Sequence, residues 1–567
     1  MIVGIDLGTT NSLVSIWDGR EARLIPNALG SVLTPSAVSI GEEGEVIVGA
    51  AARDRLSTHL DRTVASFKRY MGTNREFDLG NGRRFRPEEL SALVLRSLKA
   101  DAEMALGSTI TEAIITVPAY FNDTQRKATR LAGELAGLKV ERLLNEPTAA
   151  ALAYGLQVGA DESKILVLDL GGGTFDVSIL EMFSGIMEVR ASAGDNHLGG
   201  EDFVDLIMDA FLAEKGQEAG IPSRNQPHPI HGALRRQAEL AKRALGGKDW
   251  VDIELVHGDQ ALRWGLDRDR FEAISEPLLA RIRLPIERAI RDAAVQPDDI
   301  THLILVGGAT RMPMVRKLAA RLFQRLPVAQ VDPDEVVARG AAVQAGLKAR
   351  DAALEDVVMT DVAPFTLGVE TSRQQFDTLM AGVYSPIIER NTVIPASRSR
   401  SYQTTYDNQT MVRFHIYQGE SRLAHDNILL GEMKIAVPPS PAGQEKIEVR
   451  FTYDVSGLLE VEARNRESVP VRLVIEGTPG SMSPQEIETR LRNLAALKIH
   501  PRDLTENQAL MARAVRLYEE RLGELREAIG RAIDKFRFIL ERQDPEVIKT
   551  YRTEFLAWLD QIDVGYF

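Results

Sequence analysis

Three hydrophobic patterns succeed one another along this chain. From residue 1 to about 348, short apolar runs alternate with longer amphipathic stretches. Ile114-Ile115-Thr116-Val117-Pro118 predicts a buried strand stopped by proline, and Asn122 to Leu138, rich in Ala, Arg and Lys, predicts a helix. His302-Leu303-Ile304-Leu305-Val306 predicts another buried strand, ending at Gly307-Gly308. This alternation indicates an α/β region. Beyond Lys348 the character changes, and the stretch Asp351 to Thr360 is short, acidic, then apolar. Over 362–478 the period becomes two. Val412, Phe414 and Ile416 alternate with Arg413, His415 and Tyr417, and Ile447, Val449, Phe451 and Tyr453 alternate with Glu448, Arg450 and Thr452. Half-buried antiparallel strands have this signature. Over 479–567 the period returns to that of helices. Ser483-Pro484-Gln485-Glu486 is a capping box and Thr505-Glu506-Asn507-Gln508 a second helix start. Leu522, Leu525, Ile529, Ile533, Phe536 and Leu540 keep three- and four-residue spacing.

Within the α/β region one local pattern occurs twice. Ile2-Val3-Gly4-Ile5-Asp6-Leu7-Gly8-Thr9-Thr10-Asn11-Ser12 runs from a strand through Asp into a Gly/Thr turn and a second strand. Ile165 to Leu170, with Asp169, followed by Gly171-Gly172-Gly173-Thr174-Phe175-Asp176, repeats that order. Glycine lets phosphate oxygens approach backbone N–H groups, and a carboxylate at a strand end can hold Mg²⁺ directly or through water. Either copy alone reads equally well as an ordinary tight hairpin. Together they predict a nucleotide's phosphates gripped from both sides. No G-x-x-x-x-G-K-[ST] loop is present.

Composition narrows the classes. The 567 residues suffice for several domains, with 44% apolar and 26% charged residues. A net charge of −13 argues against nucleic acid as the main partner. The absence of cysteine removes disulfides, thiolate catalysis and Cys-based zinc sites. With no apolar run of membrane length and no leader-like start, the expected location is the cytoplasm.

Five motifs then carry a resemblance: Asp6-Leu7-Gly8-Thr9-Thr10-Asn11-Ser12, Val117-Pro118-Ala119-Tyr120-Phe121, Asn145-Glu146-Pro147-Thr148-Ala149-Ala150-Ala151, Asp169 to Asp176, and Val306-Gly307-Gly308-Ala309-Thr310-Arg311-Met312-Pro313. In this order they resemble the DnaK-type seventy-kilodalton heat-shock chaperones. The chain's short length and Ser385-Pro386-Ile387-Ile388-Glu389-Arg390-Asn391 look most like the bacterial HscC branch. The resemblance implies an actin-like (ribonuclease H-like) ATPase domain over 1–348, the linker over 349–361, a peptide-binding β-sandwich over 362–478 and a shortened helical lid over 479–567. It also implies an ATP-dependent stress chaperone using ATP/ADP and Mg²⁺, with K⁺ as a further candidate ion. Partners would be extended segments of unfolded proteins and a J-domain co-chaperone. The brief Trp250 to Phe271 segment leaves the need for a nucleotide-exchange factor open and suggests fast intrinsic exchange. Monomer is the default state.

Residue roles follow by the same resemblance. Lys68, Glu146, Asp169, Thr174 and Asp176 would be catalytic, and Asp6, Glu146 and Asp169 would hold the metal, largely through water. The nucleotide would meet Asp6, Gly8, Thr9, Thr10, Asn11, Gly171, Gly172, Gly173, Thr174, Gly199 and Gly200. Its adenosine end would meet Glu239, Lys242, Arg243, Gly307, Gly308, Arg311 and Asp334. Gly246 stands where relatives often carry a serine contacting adenine. On spacing alone, Glu239, Lys242 and Arg243 are a surface ion-pair cluster. The peptide pocket would comprise Val369, Tyr402, Thr405, Val412, Phe414 and Ile447, any of which reads equally as sandwich core. Residues Ser372 to Tyr384 read as a loop longer than in relatives. Pro118, Arg126, Arg142 and Asp361 would couple the domains. Thr360 in the linker and Ser456 depart from the family pattern and put the strength of that coupling in question. The competing readings are a sugar or acetate kinase of the actin-like superfamily and a filament-forming or scaffold protein.

Overall fold

The computed structural model describes residues 1–56, 58–80, 82–158, 162–183, 186–217, 219–226, 228–257, 260–328, 332–351, 354, 358–375, 378–454, 457–465, 470–476 and 501–564. The capping box at Ser483, the boundary near 478, and Ser456 lie outside the described residues. The chain forms two compact units. One is Met1–Phe365 with Arg390–Ile394, and the other is Thr366–Glu389 with Pro395–Phe567.

Two sheets of related topology organise the first unit. In one, strand Ile2–Leu7 pairs antiparallel with Asn11–Trp17 across the first glycine turn and parallel with Glu112–Val117, which in turn pairs parallel with Lys139–Asn145. In the other, Ser163–Leu170 pairs antiparallel with Phe175–Phe183 across the second turn and parallel with His302–Val306. The parallel strands are nearly continuous apolar runs because both faces are covered. Ile114, Ile115, Val117, Leu303 and Ile304 are fully enclosed.

Two helices separate the sheets. Val336–Lys348 lies on the first sheet and Glu146–Val158 on the second, and they face each other. Their small residues permit a close approach: a Cβ on Gly340 would sit 1.8 Å from the Ala149 carbonyl oxygen. Helix Asp123–Leu135 forms within the stretch read as Asn122 to Leu138. Asn122 caps it by accepting the Gln125 N–H at 3.0 Å, and the Gln125 side chain returns a bond to the cap.

Strand Val358–Val362 completes the second sheet. It pairs parallel with Ile186–Glu188 and antiparallel with Val393–Ile394. The segment read as a linker is therefore partly a strand of the first unit. So is a short piece of the region read as sandwich, because Arg390 pairs with Asp292 at 2.8 Å and Asn391 donates to the same carboxylate at 3.0 Å.

The second unit contains two four-stranded antiparallel sheets and three helices among its described residues. Ser372 to Tyr384 is not a long loop. Leu367–Gln375 and Thr378–Ile388 pair as far as Gln375 opposite Thr378, so the strands continue where a loop was expected. Thr371, Thr378, Val383 and Tyr384 favour extended backbone. Helices Thr505–Glu520, Gly523–Arg542 and Pro545–Val564 bury Leu517, Ile529, Phe536 and Leu559 against one another.

The crossing of the two separating helices generates a prediction. Alanine is worth about 1 kcal/mol more than glycine inside a helix, yet Gly340→Ala is expected to destabilise by about 1–3 kcal/mol through overpacking. Thermal unfolding of the variant tests this. A raised midpoint would show that the helices are free to move apart.

Candidate active site

The two glycine turns meet. A Cβ on Gly172 would sit 1.8 Å from Thr10 Oγ1, and one on Gly173 would sit 2.7 Å from Thr9 Cγ2. No side chain larger than hydrogen fits there, which explains the glycines on one side and the threonines on the other. The second turn is closed by the Gly171 N–H donating to the Thr174 carbonyl at 3.0 Å. It is tied to the next helix start by Gly200 and Glu201 N–H groups donating to Gly171 and Gly172 carbonyls, each at 2.9 Å.

Beside the turns opens a cavity of about 360 Å³. Asp6, Gly8, Thr9, Thr10, Asn11, Lys68, Glu146, Asp169, Gly171, Gly172, Thr174 and Gly200 line one part of it, and Glu239, Lys242, Arg243, Gly246, Gly307, Gly308, Arg311 and Asp334 line the rest. The structure thus gathers most of the residues read as nucleotide contacts around one space. Gly173, Gly199 and Asp176 are not in its wall. The two glycines pack against each other, a Cβ on Gly199 falling 2.4 Å from the Gly173 nitrogen, and Asp176 lies one layer behind.

The charge in this space is unbalanced. Lys68 is 3% exposed and donates to Glu146 Oε1 at 2.8 Å. Asp169 and Asp176 are also buried and Asp6 is half-buried, leaving four carboxylates around one lysine. Burial first, then the Glu146 charge, pushes Asp6 up to about 7, with Lys68 and Thr116 opposing. The same two causes raise Asp176 to about 8 and hold Asp169 well above the usual carboxylate range. Thr116 Oγ1 donates to Asp6 at 2.8 Å and the Tyr120 N–H donates to Asp176 Oδ1 at 2.9 Å. Asp176 Oδ2 has no hydrogen-bond partner among the described residues. Buried carboxylates that are oriented but undercompensated suit a cation. Among the described residues no three acidic, histidine or cysteine side chains form a group able to ligate an ion directly.

At the other end of the cavity, Lys242 donates to the Gly200 carbonyl at 3.0 Å and pairs with Glu239 at 2.6 Å. Burial raises the Glu239 carboxyl, but Lys242 and Arg243 overcome this and hold it below its ordinary value. Arg311 pairs with Asp334 at 2.7 Å and Asp332 at 3.0 Å. Gly246 leaves that end open, since a Cβ there would meet only the Arg243 carbonyl at 3.0 Å and the Arg311 carbonyl at 4.0 Å.

The residues read as coupling positions lie next to this site. Arg126 donates to the Asn145 side chain at 2.7 Å and to the Ala119 and Phe121 carbonyls at 3.1 and 2.9 Å. Asn145 Nδ2 donates to both Asp361 oxygens at 3.2 and 3.1 Å. Arg142 donates to Gln344 at 3.1 Å, and Pro118 is buried at the strand end. Asn145 joins the set although only its neighbour Glu146 drew a role from sequence.

Arg69 and Asp202 were also missed. Their ion pair spans 133 residues of sequence, with Arg69 also reaching the Gly172 carbonyl and Asp202 accepting the Gly199 N–H at 2.7 Å. Position next to Lys68 was the only sequence signal for Arg69.

In the second unit the six residues read as a peptide pocket divide. Val369 and Ile447 are fully enclosed and Phe414 is nearly so, whereas Val412 and Tyr402 are half-buried and Thr405 is exposed. The Tyr402 ring centroid lies 5.5 Å from that of Phe414, and its hydroxyl shares a 3.0 Å bond with Ser385 Oγ. Burial pushes Tyr402 up to about 12.

The model of the Hsp70 protein family matches residues 2–537, nearly the whole chain. Its members are ATPases that bind ATP or ADP with Mg²⁺, unfolded peptide substrates and J-domain co-chaperones, and they combine an actin-like ATPase domain with a β-sandwich and a helical lid. No helix among the described residues is long and apolar enough to cross a membrane. A cavity lined by both glycine turns, a lysine–glutamate pair among carboxylates and this nearly full-length match lead to one assignment: the chain belongs to the Hsp70 family of ATP-dependent chaperones.

Proposed function

We propose that the first unit hydrolyses ATP and that hydrolysis sets the affinity of the second for extended apolar segments of unfolded proteins. The functional division is an ATPase over 1–348, a linker over 349–361, a sandwich over 362–478 and a lid over 479–567. The boundary between the compact units falls slightly later, at Phe365. The site of action is the cytoplasm, with a J-domain protein as co-chaperone and the HscC branch as the nearest pattern.

One observation carries the reading: Lys68 and Glu146 are paired in the wall of a cavity that both glycine turns also line. Backbone N–H groups of the turns and the hydroxyls of Thr9, Thr10 and Thr174 hold the phosphates. Lys68, positioned by Glu146, offers its charge to the terminal phosphate. Asp6, Asp169 and Glu146 hold hydrated Mg²⁺, which supplies neutralising charge to the phosphates. The carboxylates orient the attacking water, so catalysis is mostly positioning and electrostatics. Glu239, Lys242 and Arg311 grip the adenosine end. Asn145, adjacent to Glu146 and bonded to Asp361, supports transmission to the linker. A kinase reading leaves the second unit without a task, and a scaffold reading leaves the Lys68–Glu146 pair without one. Half-buried Tyr402 and Val412 support a narrow apolar cleft.

Three expectations follow from this chemistry. Lys68→Met and Thr174→Ala should lower single-turnover hydrolysis by about 10²–10³-fold while equilibrium nucleotide binding persists. Peptide or a J-domain protein should stimulate wild-type turnover, and absence of any stimulation would overturn the coupled reading. Asn145→Ala should cut that stimulation by roughly fivefold or more, measured as the ratio of stimulated to basal rate.

The carboxylates add a pH dependence. Asp176 titrates near 3.8 when exposed and at about 8 in the folded, ion-free protein. The folded state then holds the extra proton, so stability falls as pH rises from about 4 to 8. Asp176→Asn should flatten this fall in the nucleotide-free thermal midpoint, and saturating Mg²⁺ with ADP should flatten it in the wild type. Parallel pH curves for wild type and variant would remove Asp176 from the account.

A further inference from the structure

Lys68 enters the cavity from a single short turn of helix, Phe67–Tyr70. Lysine is a point charge on a flexible four-carbon stem. Where its ammonium goes therefore depends on where its backbone is held. The turn starts from strain. Ser66 takes φ 56° and ψ 19°, the left-handed region that a serine rarely adopts. Such a conformation persists only where the surroundings hold it. Phe67, 1% exposed, anchors the turn in the core under the first sheet. Arg69 supplies a second anchor of a different kind.

Neighbours in sequence, Lys68 and Arg69 go to different partners. Lys68 pairs with Glu146, whereas Arg69 grips the second glycine turn and the helix behind it. Its Nη1 donates to Asp202 Oδ1 at 3.3 Å, and its Nη2 pairs with Asp202 Oδ2 and donates to the Gly172 carbonyl at 3.4 Å. A guanidinium fork on a carboxylate fixes direction as well as distance. The stem lies across Gly173, where a Cβ would fall 2.8 Å from Arg69 Cγ and 2.8 Å from its Nε. That buried Nε has no hydrogen-bond partner among the described residues, so the two Nη groups carry the tie. Asp202 is itself fixed, because its Oδ2 accepts the Gly199 N–H at 2.7 Å at the start of helix Gly200–Phe211. The bond from Arg69 to Gly172 bridges 103 residues of sequence.

We propose that Arg69, held by Asp202, is a positioning residue for ATP hydrolysis, and that it acts through Lys68 by fixing the turn Phe67–Tyr70 against the second glycine turn. Arg69 is absent from the cavity wall that Lys68 and Gly172 share, so it takes no part in holding the nucleotide. Its role is to set the distance between the lysine and the turn that holds the phosphates. When the terminal phosphate draws on the Lys68 charge, the hold of Glu146 on the ammonium weakens, and the backbone anchor decides where the ammonium sits. The inference rests on the reading of the first unit as an ATPase.

The test uses the full chain with ATP and Mg²⁺. Arg69→Met removes the fork and keeps an apolar stem over Gly173. Asp202→Asn removes the charge and keeps an oxygen for the Gly199 N–H. Single-turnover hydrolysis and the equilibrium dissociation constant of ATP are measured for each. Both variants are expected to lower the single-turnover rate by about 10–100-fold, with ATP affinity shifted by less than about threefold. The decisive comparison is made in the Lys68→Met background, where nothing is left to position. There Arg69→Met is expected to cost less than about twofold more. A full further loss in that background, a loss of affinity as large as the loss of rate, or an unchanged rate in Arg69→Met would each overturn the proposal. Arg69→Lys keeps a cation without the fork and is expected to fall between Arg69→Met and the wild type. Should Arg69→Met fail to fold, Asp202→Asn and Arg69→Lys carry the same comparisons. A wild type that does not hydrolyse ATP counts against the ATPase reading itself, whereas one that does confines any failure to Arg69.

Discussion

The buried Lys68–Glu146 pair is the constraint on which the rest of the first unit depends. A buried ion pair contributes little net stability because desolvation consumes the Coulombic gain. This one is also outnumbered, because Asp6, Asp169 and Asp176 bring three more carboxyl groups into the same low-dielectric space. The protein keeps the arrangement by orienting each group from outside. Thr116 fixes Asp6, the Tyr120 backbone fixes Asp176, and the meeting of the two turns keeps the separation constant. The cost is a site that favours protons until a cation and phosphates replace them.

The same pair adjoins the strand end on which the proposed coupling rests. Glu146 is the first residue of its helix and Asn145 the last residue of its strand. The Asn145 amide is held from one side by Arg126 and holds Asp361 on the other. A single peptide unit therefore separates the phosphate chemistry from the strand Val358–Val362. Coupling through so short a covalent path needs no chain of intermediate side chains.

Much of this was legible because period and punctuation are local. The strand at His302–Val306, the helix after Asn122 and both glycine turns were written in contiguous residues. What escaped depends on partners far apart in sequence. Arg69 and Asp202 carry no pattern that links them, and Asn145 looked like part of a motif rather than a bridge. Val393 fell within the 362–478 region read as sandwich, and its pairing with Val362 places it in the first unit. The peptide pocket was ambiguous for a different reason. Cleft and core ask for the same apolar side chains, so Val369 and Ile447 read alike until burial separated them from Tyr402.

The linker departure has a physical answer in the same geometry. Strand addition by Val358–Thr360 to Ile186–Glu188 uses backbone bonds, which do not depend on side-chain identity. Thr360 replaces an apolar residue in the family pattern, and its buried hydroxyl has no hydrogen-bond partner among the described residues. Losing one buried leucine-sized side chain forfeits about 1.5–3 kcal/mol of burial. Asp361 lies immediately beside it, 8% exposed, accepting two bonds from Asn145 and one from the Val362 N–H at 2.8 Å. Hydrogen bonds to a charged group are each worth about 1.5–3 kcal/mol net, enough to offset the missing apolar contact. At Asp361 the linker strand is thus held by polar contacts with Asn145.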